Sequence, residues 1–97
     1  MSLRKSGLQR EVLALYRRAL TMVRSKPPET RPKFLLFVRY TFHTNASKVP
    51  PRNVSAIEHL LRKGKRQIEM YEDAAVKDCW VSGDMLAWEK AWKTSTG

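Results

Sequence analysis

Scarcity bounds this chain before abundance does. Its 97 residues include one cysteine, Cys79, so no internal disulfide can form. With only two histidines, His43 and His59, beside it, the chain cannot assemble a four-ligand zinc or iron–sulfur site on its own. There is no Ser/His/Asp or Cys/His pattern, no glycine-rich phosphate loop and no paired acids in an apolar setting, which argues against an enzyme. Both histidines occupy polar or boundary positions and read as solvated side chains. No apolar run approaches the roughly 20 residues of a membrane span, and no secretory h-region is present. Acids are scarce too: nine Asp and Glu stand against nineteen Lys and Arg, leaving a net charge of +10.

What is present suits one small folded domain. The hydrophobic fraction of 42% is normal for a globular chain, and the length allows a modest core without a deep catalytic cleft. The charge is uneven. Residues 1–26 carry seven Lys and Arg against Glu11 alone, a net +6, whereas residues 72–97 carry three lysines against five acids, a net −2. A positive body attracts an anionic partner, whether nucleic acid, acidic protein or anionic membrane. The first 24 residues are basic, amphipathic and nearly free of acid, the character of a mitochondrial targeting segment. They are also patterned as a core helix, so import without cleavage is expected, with a cytosolic helix as the alternative.

Periodicity predicts helices throughout. From Ser6 to Arg24, apolar residues recur at Leu8, Val12, Leu15, Ala19, Met22 and Val23, with Ser6 available as an N-cap, and Pro27-Pro28 ends the run. A second helix is expected from about Thr30, with Pro32 tolerated in its first turn and an apolar face of Phe34, Leu35, Val38 and Phe42. After "NASKVPPRN", Asn53 can cap a third helix whose seam is Val54, Ile57, Leu61, Gly64, Ile68 and Tyr71. The expected fold is all-α: an antiparallel up-down-up three-helix bundle over residues 1–75 with an acidic C-terminal tail, 76–97, that holds Trp80, Trp88 and Trp92. Asp84 could cap a short helix through Trp92, either packing back or awaiting a partner.

Two clusters carry the functional reading. Leu15 faces the predicted core, Tyr16 is turned about 100° from it and Arg17 about 100° further, so core, border and exposed charge lie within three residues. Arg10, Arg17 and Arg24, seven apart, line one side of the helix, either as a binding face or as a flank of solvated arginines. In the third helix Arg62, Lys63, Lys65 and Arg66 surround Gly64. A mid-helix glycine costs about 1 kcal/mol relative to alanine, so its place on the seam implies close approach of a neighbouring helix or of something inserted between helices. A nuclear-localisation or nucleic-acid patch is the generic alternative for such a run.

With these residues in view, the chain resembles the LYR-motif proteins of mitochondria. The resemblance rests on "LQREVLALYRRAL" at 8–20, "FVRYTFHTNAS" at 37–47 and "IEHLLRKGKRQIEMY" at 57–71. Within that family it is nearest to the factors that assemble succinate dehydrogenase. At His43 the family pattern would have arginine. The resemblance implies a small non-catalytic adaptor of the mitochondrial matrix that engages the iron–sulfur subunit of succinate dehydrogenase. It implies that Leu15, Tyr16, Arg17 and Arg18 recruit the iron–sulfur transfer co-chaperone. Phe42 would be the family's downstream phenylalanine, and the run Arg62, Lys63, Gly64, Lys65 and Arg66 would meet the iron–sulfur subunit. Family members also bind mitochondrial acyl carrier protein, so the expected cofactor is none of the chain's own but the acyl-phosphopantetheine of that carrier, with Arg10 and Arg24 on the basic face toward carrier or co-chaperone. The alternatives are an accessory protein of complex I or of the cysteine desulfurase, and a basic helical nucleic-acid-binding module. The last is disfavoured by the lack of a helix-turn-helix spacing, stacking aromatics or a zinc finger.

Overall fold

The computed structural model describes residues 7–96. It has four helices and, among those residues, no strand: α1, Gly7–Arg24; α2, Arg31–Lys48; α3, Val54–Glu72; α4, Gly83–Thr96. The proposed Ser6 cap lies outside the described residues. Pro27-Pro28 ends α1 as expected, and α2 begins with Pro32 in its first turn. The Asn53 cap of α3 is formed, with the Ala56 amide donating to Asn53 Oδ1 at 3.1 Å.

α1, α2 and α3 run up, down and up around a core of Ala19, Met22, Val23, Phe34, Val38 and Ile68. The packing is asymmetric. α1 lies against both α2 and α3, whereas α2 and α3 approach each other much less. They meet at the proline end of the bundle, where the Tyr71 ring stands edge-on to Phe34 (5.6 Å) and Phe37 (5.2 Å). Toward the loop at residues 49–53 a cleft lies between them, and Val54, placed by its periodicity on the core seam, is half-exposed. The bundle is therefore a wedge, closed at Tyr71 and open near Phe42.

The fold differs from a bundle of three helices and a tail. The C-terminal segment forms α4, which packs on the outer side of α2 and runs parallel to it. The reason lies in α2, whose apolar residues are spread around the helix rather than gathered in one stripe. Phe34 and Val38 face α1 and α3, while Leu36 (5% exposed) and Tyr40 face the other way and need a second cover. The helix caps differently from expectation as well: Ser82 Oγ, not Asp84, accepts the Met85 amide at 3.1 Å, and Asp84 sits in the first turn, where its charge suits the helix dipole.

Buried Lys26 organises the crossing. It is only 4% exposed, and its ammonium donates to the carbonyl oxygens of Asp73 (3.2 Å) and Val76 (2.6 Å) while lying 5.1 Å from the centre of the Phe34 ring. The Thr30 hydroxyl donates to the Lys77 carbonyl at 2.6 Å, and Lys33 pairs with Asp78 at 3.3 Å. These contacts lead the chain from the end of α3 across the start of α2 and so place α4.

Candidate functional site

The four LYR-segment residues take four separate positions. Leu15 faces inward, its Cδ2 3.3 Å from where a Cβ on Gly64 would stand, a tight contact that leaves no room for a large side chain between α1 and α3. Tyr16 lies at the border of the stripe, with its ring edge-on to Phe42 at 5.0 Å and 74°. Arg17 is exposed. Arg18 turns toward α3 and grips the Glu72 carboxylate with two hydrogen bonds, 2.8 Å from Nε and 2.7 Å from an Nη, with Glu69 at 3.8 Å. The hydrogen bond from Arg18 holds the Glu72 carboxyl below its ordinary value, and the same bond raises the guanidinium's.

Where the wedge opens, Val12, Leu15, Phe42, Ile57, Leu61 and Gly64 line an apolar cleft of about 240 Å³. Val12, Pro51 and Ile57 also line a second groove, with Leu8 and Val54, that carries the apolar surface to the start of α1. The cleft thus has an apolar floor and an apolar way in. Tyr16 sits behind it, fixed by the same Phe42 that lines it.

Beside the cleft, Arg62 and Lys65 of α3 join Arg18, Glu11 and Leu15 of α1 in a groove between the two helices. Lys63 and Arg66 are exposed but outside that groove, so the basic run is divided between two aspects of α3. Arg10 and Arg24 are exposed on α1, and Arg24 lines a different groove, with Pro28, Arg31 and Pro32, at the closed end of the wedge. The expected basic face of α1 is therefore spread along the helix, with only part of it near the cleft.

Two features escaped the sequence. His43, read as solvated, has its ring 4.7 Å from Trp92 and 5.5 Å from Trp88, which stack on each other at 5.6 Å while Trp88 meets Tyr40 at 5.9 Å. His43 is exposed, as read, and what the sequence did not show is α4, which brings the tryptophans against its ring on the outer side of α2. Lys26 gave no signal either, since a lysine before two prolines reads as loop. Burial pushes the Cys79 thiol up, with Asp78 adding to the effect, so it is no activated nucleophile. Among the described residues no group of His, Cys, Asp and Glu could hold a metal ion.

Comparison with known proteins covers this same region. The family model described as "Complex 1 protein (LYR family)" matches residues 10–70. The succinate dehydrogenase assembly factor 1, mitochondrial, of Schizosaccharomyces pombe is 41% identical over 77 residues, covering 79% of this chain and 96% of that protein. The protein of the same name from Saccharomyces cerevisiae is 37% identical over 71 residues, 73% of this chain and 89% of its own length. The Bos taurus protein of that name is 44% identical over 68 residues, 69% of this chain and 52% of its own. No solved structure gives a significant match. The matched residues run from Arg10 on α1 to Met70 on α3, which includes the lining of the cleft and stops one residue short of Tyr71, and the chain belongs to the Complex 1 protein (LYR family).

Proposed function

We propose that this protein is a mitochondrial matrix assembly factor for succinate dehydrogenase, a non-catalytic adaptor acting while the iron–sulfur subunit is matured. The observation that carries the reading is the identity of 37–44%, over 69–79% of this chain, to proteins named for that task. In this reading the iron–sulfur subunit meets the basic run of α3, Arg62, Lys63, Lys65 and Arg66. Leu15, Tyr16 and Arg17 serve recruitment of the iron–sulfur transfer co-chaperone, with Arg17 as the exposed member. The cleft takes the acyl-phosphopantetheine of mitochondrial acyl carrier protein, each methylene entering it stabilising the complex by about 0.8 kcal/mol. The apolar lining of Val12, Leu15, Phe42 and Ile57 supports this, as does the net +6 of residues 1–26, which would speed encounter with an acidic carrier.

The deciding experiment is affinity capture of the full chain from mitochondria. Recovery of the iron–sulfur subunit together with an acylated carrier protein is the expected outcome, and recovery of desulfurase or complex I subunits instead would overturn it. Replacing the four α3 cations by glutamine should abolish capture of the iron–sulfur subunit while leaving the melting temperature near wild type, because no apolar contact is removed. Arg17→Glu should weaken co-chaperone or carrier binding with a change in stability under about 0.5 kcal/mol.

A further inference from the structure

At the closed end of the wedge, far from the cleft, apolar groups and cations share one continuous surface. Trp80 is 78% exposed and Leu86 54% exposed. Both line an open groove of about 750 Å³ that reaches Pro32. On the other side of Pro32 the surface continues into the groove that holds Arg24 and Arg31. Among the described residues neither of these arginines pairs with a carboxylate. The carboxylates that do lie in the Trp80 groove are already matched, Asp78 by Lys33 at 3.3 Å and Glu89 by Lys93 at 3.7 Å. What this end offers is a projecting indole, a leucine and two exposed guanidiniums without a carboxylate partner, Arg24 and Arg31, of which Arg31 also donates to the Lys26 carbonyl at 3.0 Å.

We propose that this proline end docks peripherally on an anionic bilayer, with Trp80 and Leu86 entering the headgroup boundary and Arg24 and Arg31 meeting lipid phosphates. Charge complementarity selects the occupant: the patch presents two of the cations of a molecule whose net charge is +10, and an anionic leaflet attracts such a surface within a Debye length. The indole selects the depth. Tryptophan has an apolar body and one N–H donor, which suits the boundary between acyl chains and headgroups. One such anchor alone holds weakly, and stable attachment needs an apolar anchor together with a basic patch; both are here. Among the described residues no helix is long and apolar enough to cross a membrane, so the contact proposed is a peripheral one.

The test is co-sedimentation of the full chain with vesicles of phosphatidylcholine alone, and with vesicles in which about one third is phosphatidylglycerol. Binding to the anionic vesicles only, weakened by salt, is expected. Trp80→Ser and Leu86→Ser should each reduce it by about tenfold or more, and Arg24→Gln with Arg31→Gln should do the same. Trp80→Phe should keep most of the binding but lose part of the quenching of tryptophan emission by brominated lipid. All these side chains are exposed, so circular dichroism should be unchanged. Wild-type protein that stays in the supernatant overturns the proposal, and so does equal binding by Trp80→Ser, which would mean charge alone attracts the chain. If vesicles are ignored but the iron–sulfur subunit shields Trp80 from acrylamide, the surface is a protein-docking site and the bilayer assignment is wrong.

Discussion

Leu15 and Gly64 set the distance between α1 and α3, since the Leu15 Cδ2 lies 3.3 Å from the point where a Cβ on Gly64 would stand. Gly64→Ala gains up to about 1 kcal/mol of helix propensity, and the end of a leucine side chain can yield by a few tenths of an ångström. Stability within about 1 kcal/mol of wild type is therefore expected for alanine. Gly64→Arg has no such escape. It forces a long cation into the α1–α3 contact and should cost about 1–3 kcal/mol by overpacking alone. Thermal unfolding of the two variants side by side checks this, and an arginine variant that melts like wild type would show the helices are free to separate.

Lys26 offers a second test. Lys26→Met keeps the stem beside Phe34 but leaves the carbonyls of Asp73 and Val76 without their donor. Two part-buried acceptors losing their shared donor should cost about 1–3 kcal/mol. The loss should fall first on the crossing segment, so limited proteolysis should cut near residues 74–81 well before it cuts α1. Cleavage spread evenly over the chain would mean Lys26 supports the whole bundle instead.

The Arg18–Glu72 pair makes stability depend on pH in a definite direction. Glu72 has a folded-state value below the ordinary 4.5, so its contribution is fully present above that value. It is lost as the pH falls through the lower, folded-state value. Glu72→Gln should therefore melt below wild type at neutral pH, and the difference should shrink as the pH drops below about 4. Both side chains are largely exposed, so the effect is small and should weaken with added salt. A constant difference across the acid range would mean the pair is not formed in solution.

His43 tests how α4 is held. Its ring packs on Trp88 and Trp92, and an aromatic contact of this kind is worth about 0.5–1.5 kcal/mol beyond burial. His43→Ala should loosen α4, red-shift tryptophan emission and lower the melting temperature. His43→Arg, the residue the family pattern would have there, should stay near wild type, because a guanidinium can stack on the same indoles. Equal loss in both variants would show that ring shape, not cation or face, matters.

The three helices of the wedge were legible because they are written in local signals: the prolines at 27–28, the Asn53 cap, and apolar spacing along α1 and α3. Gly64 was legible for a similar reason, as a mid-helix glycine on a seam needs a close neighbour, and Leu15 is that neighbour. A helix through Trp92 was legible as well, but its docking was not, because that depends on the second apolar side of α2, and Leu36 and Tyr40 look redundant beside Phe34 and Val38 until a partner is seen to cover them. Lys26 and His43 follow from that long-range packing and have no signature in their neighbours. The division of the basic run between two aspects of α3 was implicit in its spacing, yet only the position of Arg18 shows which half lies beside α1.

The wedge also grades the strength of one helix along its own length. The last turns of α3 are held by Tyr71 against Phe34 and Phe37, by Arg18 on Glu72 and by Lys26 on the Asp73 carbonyl. Its first turns border the cleft, with Val54 half in solvent. Backbone amides near residues 57–61 should then exchange with deuterium far faster than those near 66–71, although both belong to one unbroken helix. A helix that frays from one end while anchored at the other can swing aside and return without the molecule unfolding. A guest longer than the cleft is wide could thus be admitted sideways, through an opening rather than along a channel.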